Sequence, residues 1–108
     1  MISTESETNL VRFFGNSPFV RMLDAFIDNI GGEYSKKDVQ ELAGISKGAL
    51  FQHWHKLEQL GLVKVTRAFG NTKLYTLDRK NPVVKGILKL EARLIEKTTP
   101  KKARAVAR

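Results

Sequence analysis

The sequence predicts a mostly helical domain with one small β-hairpin, an α+β fold. Four segments carry helix caps and apolar residues at helical spacing. Two runs rich in β-branched and aromatic residues, "LVKVTRA" and "TKLYTL", are joined by "FGN", a hairpin turn signal. Two of the helices are separated by only two residues, Gly44 and Ile45, ahead of the next cap. At 108 residues the chain is one domain with room for a modest core.

In chain order, "NLVRFFG" is a short apolar piece ending at Gly15. "NSPFVRMLDAFIDNIGG" reads as a helix with Ser17 as N-cap, Pro18 at the first helical position and Gly31-Gly32 as the stop. Val20, Leu23, Phe26, Ile27 and Ile30 form its apolar face. "EYSKKDVQELAG" is a shorter helix opened by the capping box of Ser35 and Asp38, with Val39 and Leu42 toward the core and Gly44 at its end. A third helix is capped by Ser46, runs to Leu60 and stops at Gly61. The tight glycine-containing link makes the pair a helix-turn-helix. After the hairpin, "NPVVKGILKLEARLIEK" is a last helix in which Val83, Ile87, Leu90 and Leu94 line up as a heptad-like stripe.

Helix, helix-turn-helix and hairpin, in that order, make a winged helix-turn-helix with an added C-terminal helix. The expected organisation is a flexible N-terminus over 1–9 and a winged-helix domain over 10–78. A C-terminal helix follows over 79–97, then a basic flexible tail over 98–108.

Charge and composition narrow the function. The apolar and charged fractions, 42% and 28%, are those of an ordinary globular chain. With no cysteine, disulfides, thiolate metal sites and thiol catalysis are excluded together. The polar, acidic start "MISTESETN" lacks the pattern of a signal peptide, and no apolar run reaches bilayer length, so a cytoplasmic protein without membrane attachment is expected. Residues 1–78 hold nine basic and nine acidic residues, whereas residues 79–108 hold ten basic and two acidic. The whole net charge of +8 therefore sits in the C-terminal segment. A polyanion, nucleic acid before an acidic membrane surface, is the implied partner.

"FQHWHKL" brackets the chain's only tryptophan with its only two histidines. Residues two apart on a helix diverge by about 200°, so His53 and His55 cannot share a metal ion. No carboxylate stands four residues from either histidine as a further ligand, and no nucleophile–base–orienter set or phosphate-cradling glycine loop is present. An enzyme, a metal site and a cofactor are thus not expected. Leu50, Trp54, Leu57 and Gly61 form the core stripe of this helix, widened by Leu60. His53 lies at its edge, as a partly buried histidine hydrogen-bonded within the domain.

The opposite face carries Lys47, Gly48, Phe51, Gln52, His55 and Lys56. In a helix-turn-helix this second helix enters the major groove of double-stranded DNA. There Gln52 suits adenine, Lys47 and Lys56 suit guanine or phosphate, and Gly48 leaves room for close approach. Phe51 either packs on a thymine methyl or folds back onto the hairpin. Ser46 at the cap, with Lys36 and Lys37 opening the preceding helix, suits phosphates. Arg67, Asn71 and Lys73 at the wing suit the backbone or an adjacent minor groove, with Phe69 packed beneath the wing.

"GISKGALFQHWHKLEQLGLV", Gly44 to Val63, resembles the core signature of ArsR/MarR-type winged-helix transcription regulators. The matching features are Gly-Ile-Ser, a small-then-apolar pair and a polar pair before a core position. Leu57-Glu58 then stands two residues ahead of the Leu-Gly-Leu-Val exit. Tyr75 and Leu77 match the Tyr-x-Leu that closes the wing, so the resemblance spans Tyr34 to Leu77. Trp54 stands where such proteins usually have leucine. The resemblance implies a sequence-specific DNA-binding transcription regulator. The cysteine pair of the group's metal sensors is missing, which removes thiolate metal sensing. A homodimer paired through Val83, Ile87, Leu90 and Leu94 is expected, and no residue pattern demands a small-molecule effector. Two other readings stay open: a winged helix serving as a protein–protein module, and a general chromatin-type DNA binder driven by the basic C-terminus.

Overall fold

A computed structural model of the chain describes residues 8–98. It contains α1 (Asn9–Phe14), α2 (Pro18–Asp28), α3 (Lys36–Ala43), α4 (Lys47–Gln59), β1 (Val63–Phe69), β2 (Thr72–Leu77) and α5 (Pro82–Thr98). The expected winged helix-turn-helix with an added C-terminal helix is the architecture observed. Residues 1–7 and 99–108, and with them most of the predicted N-terminal and C-terminal tails, lie outside the described residues. Thr8 and Asn9, assigned by sequence to the N-terminal tail, instead cap and open α1: the Thr8 hydroxyl accepts from the Val11 amide at 3.3 Å.

The caps are where the local chemistry demands them. Ser17 accepts from the Val20 amide and Pro18 sits in the first turn, where its missing N–H costs nothing. Ser35 and Asp38 satisfy each other's backbone amides in a complete capping box. Gly44 ends α3 in the left-handed region, φ 67°, returning its N–H to the carbonyls of Gln40 and Glu41. Ser46 then caps α4 by accepting from the Ala49 amide at 3.1 Å. Arg21 of α2 donates Nε to the Ala43 carbonyl at 2.8 Å, placing a cation at the negative end of α3 and tying the helix-turn-helix to α2.

α2 is the central helix, packed by α1, α3, α4 and β2. It buries Met22, Asp24 and Ala25 as well as the predicted Leu23, Phe26 and Ile27, because one amphipathic face is not enough when neighbours stand on several sides. Trp54, only 3% exposed, joins Tyr75 in an edge-on contact at 4.8 Å and Phe26 at 6.3 Å. Leu10, Val39, Leu50, Leu57, Leu62 and Val84 complete the core around them.

Three expected core residues are exposed instead: Ile30, Leu42 and Leu60. α2 has already ended at Asp28, so helical spacing no longer aims Ile30. Leu60 is the C-cap of α4, past the last packed turn. The short α3 buries Val39 and Ala43, one turn apart, which leaves Leu42 on its flank.

β1 and β2 pair antiparallel, with Val63 opposite Leu77 and Phe69 opposite Thr72. Gly70 has φ 55° while Asn71 does not have positive φ, the sign pattern of a type II′ two-residue turn. The register shifts between Val65 and Arg67, a bulge that bends the outer half of the wing. Tyr34 adds a single antiparallel bridge to Tyr75, so the segment leading into α3 is held against the hairpin by two 2.8 Å hydrogen bonds. Asn81 links the wing's exit to α4: its Nδ2 donates to the carbonyls of Leu60 and Gly61, and its Oδ1 accepts from the Val83 amide.

Candidate nucleic-acid interface

α4 turns its two sides to different environments. Leu50, Trp54 and Leu57 are buried, and Lys47, Gly48, Phe51, Gln52, His55 and Lys56 are exposed together with the capping Ser46. The outward set predicted for this helix is thus solvent-facing along its whole length. Two lysines, one on α3 and one on α4, lie over aromatic rings. The Lys36 ammonium from α3 lies 5.6 Å from the Phe51 ring centre and 5.4 Å from that of Trp54, and Lys56 lies 5.9 Å from that of Phe19.

Beside α4, a cleft of about 530 Å³ opens between the start of α3 and the wing. Ser35, Lys36 and Lys37 line one side, and Asn71, Thr72, Lys73 and Tyr75 the other. The Tyr34–Tyr75 bridge sets this geometry, because it fixes the chain just ahead of α3 against β2. Two lysines at a helix N-terminus, faced by a third on the wing with hydroxyls and an amide, form a surface that favours anions. Ser35 and Thr72 were not expected at the site, since their place in it depends on pairing between segments 37 residues apart in the chain. Burial, and after it the Glu58 carboxylate, pushes the Tyr75 phenol up from its ordinary value, so it stays neutral beside the lysines.

The wing is less free than the sequence suggests. Arg67 donates Nε to the Glu33 carboxylate at 2.8 Å, and its guanidinium carbon lies 5.6 Å from the Phe69 ring centre. Phe69 is exposed and capped by Arg67, where packing beneath the wing was expected. The bulge accounts for both, because it bends the strand at the point where Arg67 leaves it.

His53 and His55 separate as helical geometry requires, the first half-buried and the second exposed. The hydrogen bond expected for His53 is missing at Nδ1, which is buried without a partner, as is Trp54 Nε1. Among the described residues no group of three or more histidine, aspartate or glutamate side chains is arranged to hold a metal ion.

On α5 the side turned to the body is rotated from the predicted stripe. Val84 is buried while Val83 is exposed, and Ile87, Leu88 and Leu94 pack against the core of their own chain. Leu90 is half-buried and Ile95 exposed. α1 packs against α5, and Val84 joins the core cluster while Val83 stays outside it. Among the described residues no helix is long and apolar enough to cross a membrane.

No family model matches the chain, and no curated protein matches it. Among solved structures the chain is similar to a double mutant of Lactococcus lactis ZitR in apo form. Identity is 22%, the match covers 85% of this chain and 74% of that chain, and the TM-score is 0.45. The winged-helix assignment rests on the elements, turn and packing described above.

Proposed function

We propose that the protein is a sequence-specific DNA-binding transcription regulator without enzymatic activity, acting on double-stranded DNA as a homodimer. α4 enters the major groove, presenting Lys47, Gln52, His55 and Lys56 to base edges and phosphates, with Gly48 allowing close approach. The wing residues Arg67, Asn71 and Lys73 meet the backbone or an adjacent minor groove. The observation that carries this reading is the cleft in which Lys36, Lys37, Asn71 and Lys73 converge, with Lys36 also lying against Phe51 on the outward side of α4. Spread over the chain, each lysine is an ordinary solvated charge. Gathered on one surface next to a helix that exposes hydrogen-bonding side chains, they form the footprint of a phosphate backbone.

Pairing of two copies is assigned to α5, where Val83 is exposed and Leu90 half-buried. A two-fold dimer implies a pseudo-palindromic site with half-sites about one helical turn apart.

Selection of bound sequences from a random DNA pool, followed by titration of the enriched site and of random DNA over a salt series, tests the proposal. An enriched inverted repeat bound more tightly than random DNA is the expected result. Equal affinity for both DNAs would leave a chromatin-type binder. No binding at low salt would leave a protein–protein module.

A further inference from the structure

Phe51 is the residue of the outward α4 surface that charge does not explain. It is 53% exposed, in the second turn of the helix, between Lys47 and Gln52, and it stays outside the packed core. A single exposed phenylalanine elsewhere on a surface would need no account. Here its position restricts what it can meet. Base edges in the major groove offer hydrogen-bond donors and acceptors at every pair, and one apolar group, the C5-methyl of thymine. A phenyl ring inserted among donors and acceptors would strand them unpaired unless it met that methyl.

Lys36 fixes the ring's place relative to the basic cleft. Its ammonium rests 5.6 Å from the Phe51 ring centre and 5.4 Å from that of Trp54, while the same lysine lines the basic cleft with Lys37 and Lys73. One side chain therefore spans from the phosphate-facing cleft to the ring. Of the two expectations from sequence, folding back beneath the hairpin does not fit a ring left this exposed.

We propose that Phe51 is a specificity-determining residue that recognises the C5-methyl group of a pyrimidine in the major groove, thymine in ordinary DNA. The proposal rests on the DNA-binding reading above. It extends to 5-methylcytosine, which presents the same methyl at the same groove position. Binding therefore responds to cytosine methylation at that base pair.

The test replaces each thymine of the enriched site singly by uracil, which deletes the methyl and keeps every hydrogen-bonding group. One thymine per half-site is expected at which uracil weakens binding about fourfold, the effect of leaving one methyl unburied. Phe51→Ala should bind more weakly and ignore that change, whereas Phe51→Leu should keep most of it. At the same pair, 5-methylcytosine should bind better than cytosine to the wild-type protein and not to F51A. Circular dichroism of both variants checks that they fold. An enriched site bound equally with uracil at every thymine would overturn the Phe51 inference alone, as would an F51A protein that keeps the full uracil effect. Absence of any enriched sequence would overturn the regulator reading as well.

Discussion

Asp24→Asn should stabilise the protein at neutral pH and leave it little changed in acid. Asp24 is 6% exposed on the central helix α2. Its Oδ2 accepts from the Thr8 hydroxyl at 2.6 Å, while Oδ1 is buried without a partner. Burial is the main cause that raises its pKa, the negative charge of Asp28 adds to it, and the Thr8 hydrogen bond opposes both. Asp28 is raised by burial, and Glu91 of α5, whose Oε1 is also buried and unpartnered, is raised by burial and then by Asp24 and Asp28. Arg21, which lines the same cavity of about 330 Å³, commits its Nε to Ala43 and Nη1 to Asn16.

Because the folded protein holds the Asp24 proton more tightly than the unfolded chain does, the group's stabilising contribution is complete below its unfolded value near 3.8. That contribution is lost as pH rises through the raised folded value. An asparagine keeps an acceptor for Thr8 and has no charge to desolvate. Removing one desolvated buried charge is worth on the order of 1 kcal/mol, or about 4–8 °C in Tm for a domain of this size. Urea unfolding of wild type and D24N between about pH 4 and pH 8 isolates the effect, since every other titrating group is common to both. The stability difference should grow in favour of D24N with rising pH. A D24N protein less stable than wild type near pH 7.5, or a difference independent of pH, would refute the assignment of a buried, proton-holding carboxyl.

Glu33→Gln should release Arg67 from its 2.8 Å ion pair and raise DNA affinity by less than about fivefold, the ceiling for an exposed pair; fluorescence anisotropy that shows weaker binding would count against a DNA role for Arg67. Lys37→Ala combined with Lys73→Ala should flatten the dependence of log K on log salt by about 0.9 for each phosphate no longer neutralised, and an unchanged slope would take the cleft out of the interface. Asn81→Ala removes two donated bonds to the Leu60 and Gly61 carbonyls just past α4 and one accepted from Val83, costing about 1–2 kcal/mol. An unmoved urea midpoint would show that water replaces them.

The features legible in sequence are those closed by bonds a few residues long. Ser17, Ser35 with Asp38, and Ser46 each cap a helix through an amide three positions on, so their chemistry is complete within one turn. Gly44 and Gly70 mark turns because their backbone angles suit glycine. The inward stripe of Leu50, Trp54 and Leu57 also follows from helical spacing alone, and with it the outward set on α4.

Tertiary structure decided what those elements meet. Periodicity says which residues share a side of a helix, but neighbours choose the side and its width. Packing onto the core buries Val84 and not Val83, and leaves Leu42 and Leu60 in solvent. The Glu33–Arg67 pair spans 34 residues, and the basic cleft joins segments held together by the Tyr34–Tyr75 bridge. Asp24 is polar by composition and buried by position. Local hydrogen bonds and side-chain spacing therefore set the element order and the outward set of α4, whereas burial and charge convergence depend on interactions across the chain. Those long-range interactions hold Arg67 to Glu33 and bring the cleft lysines together.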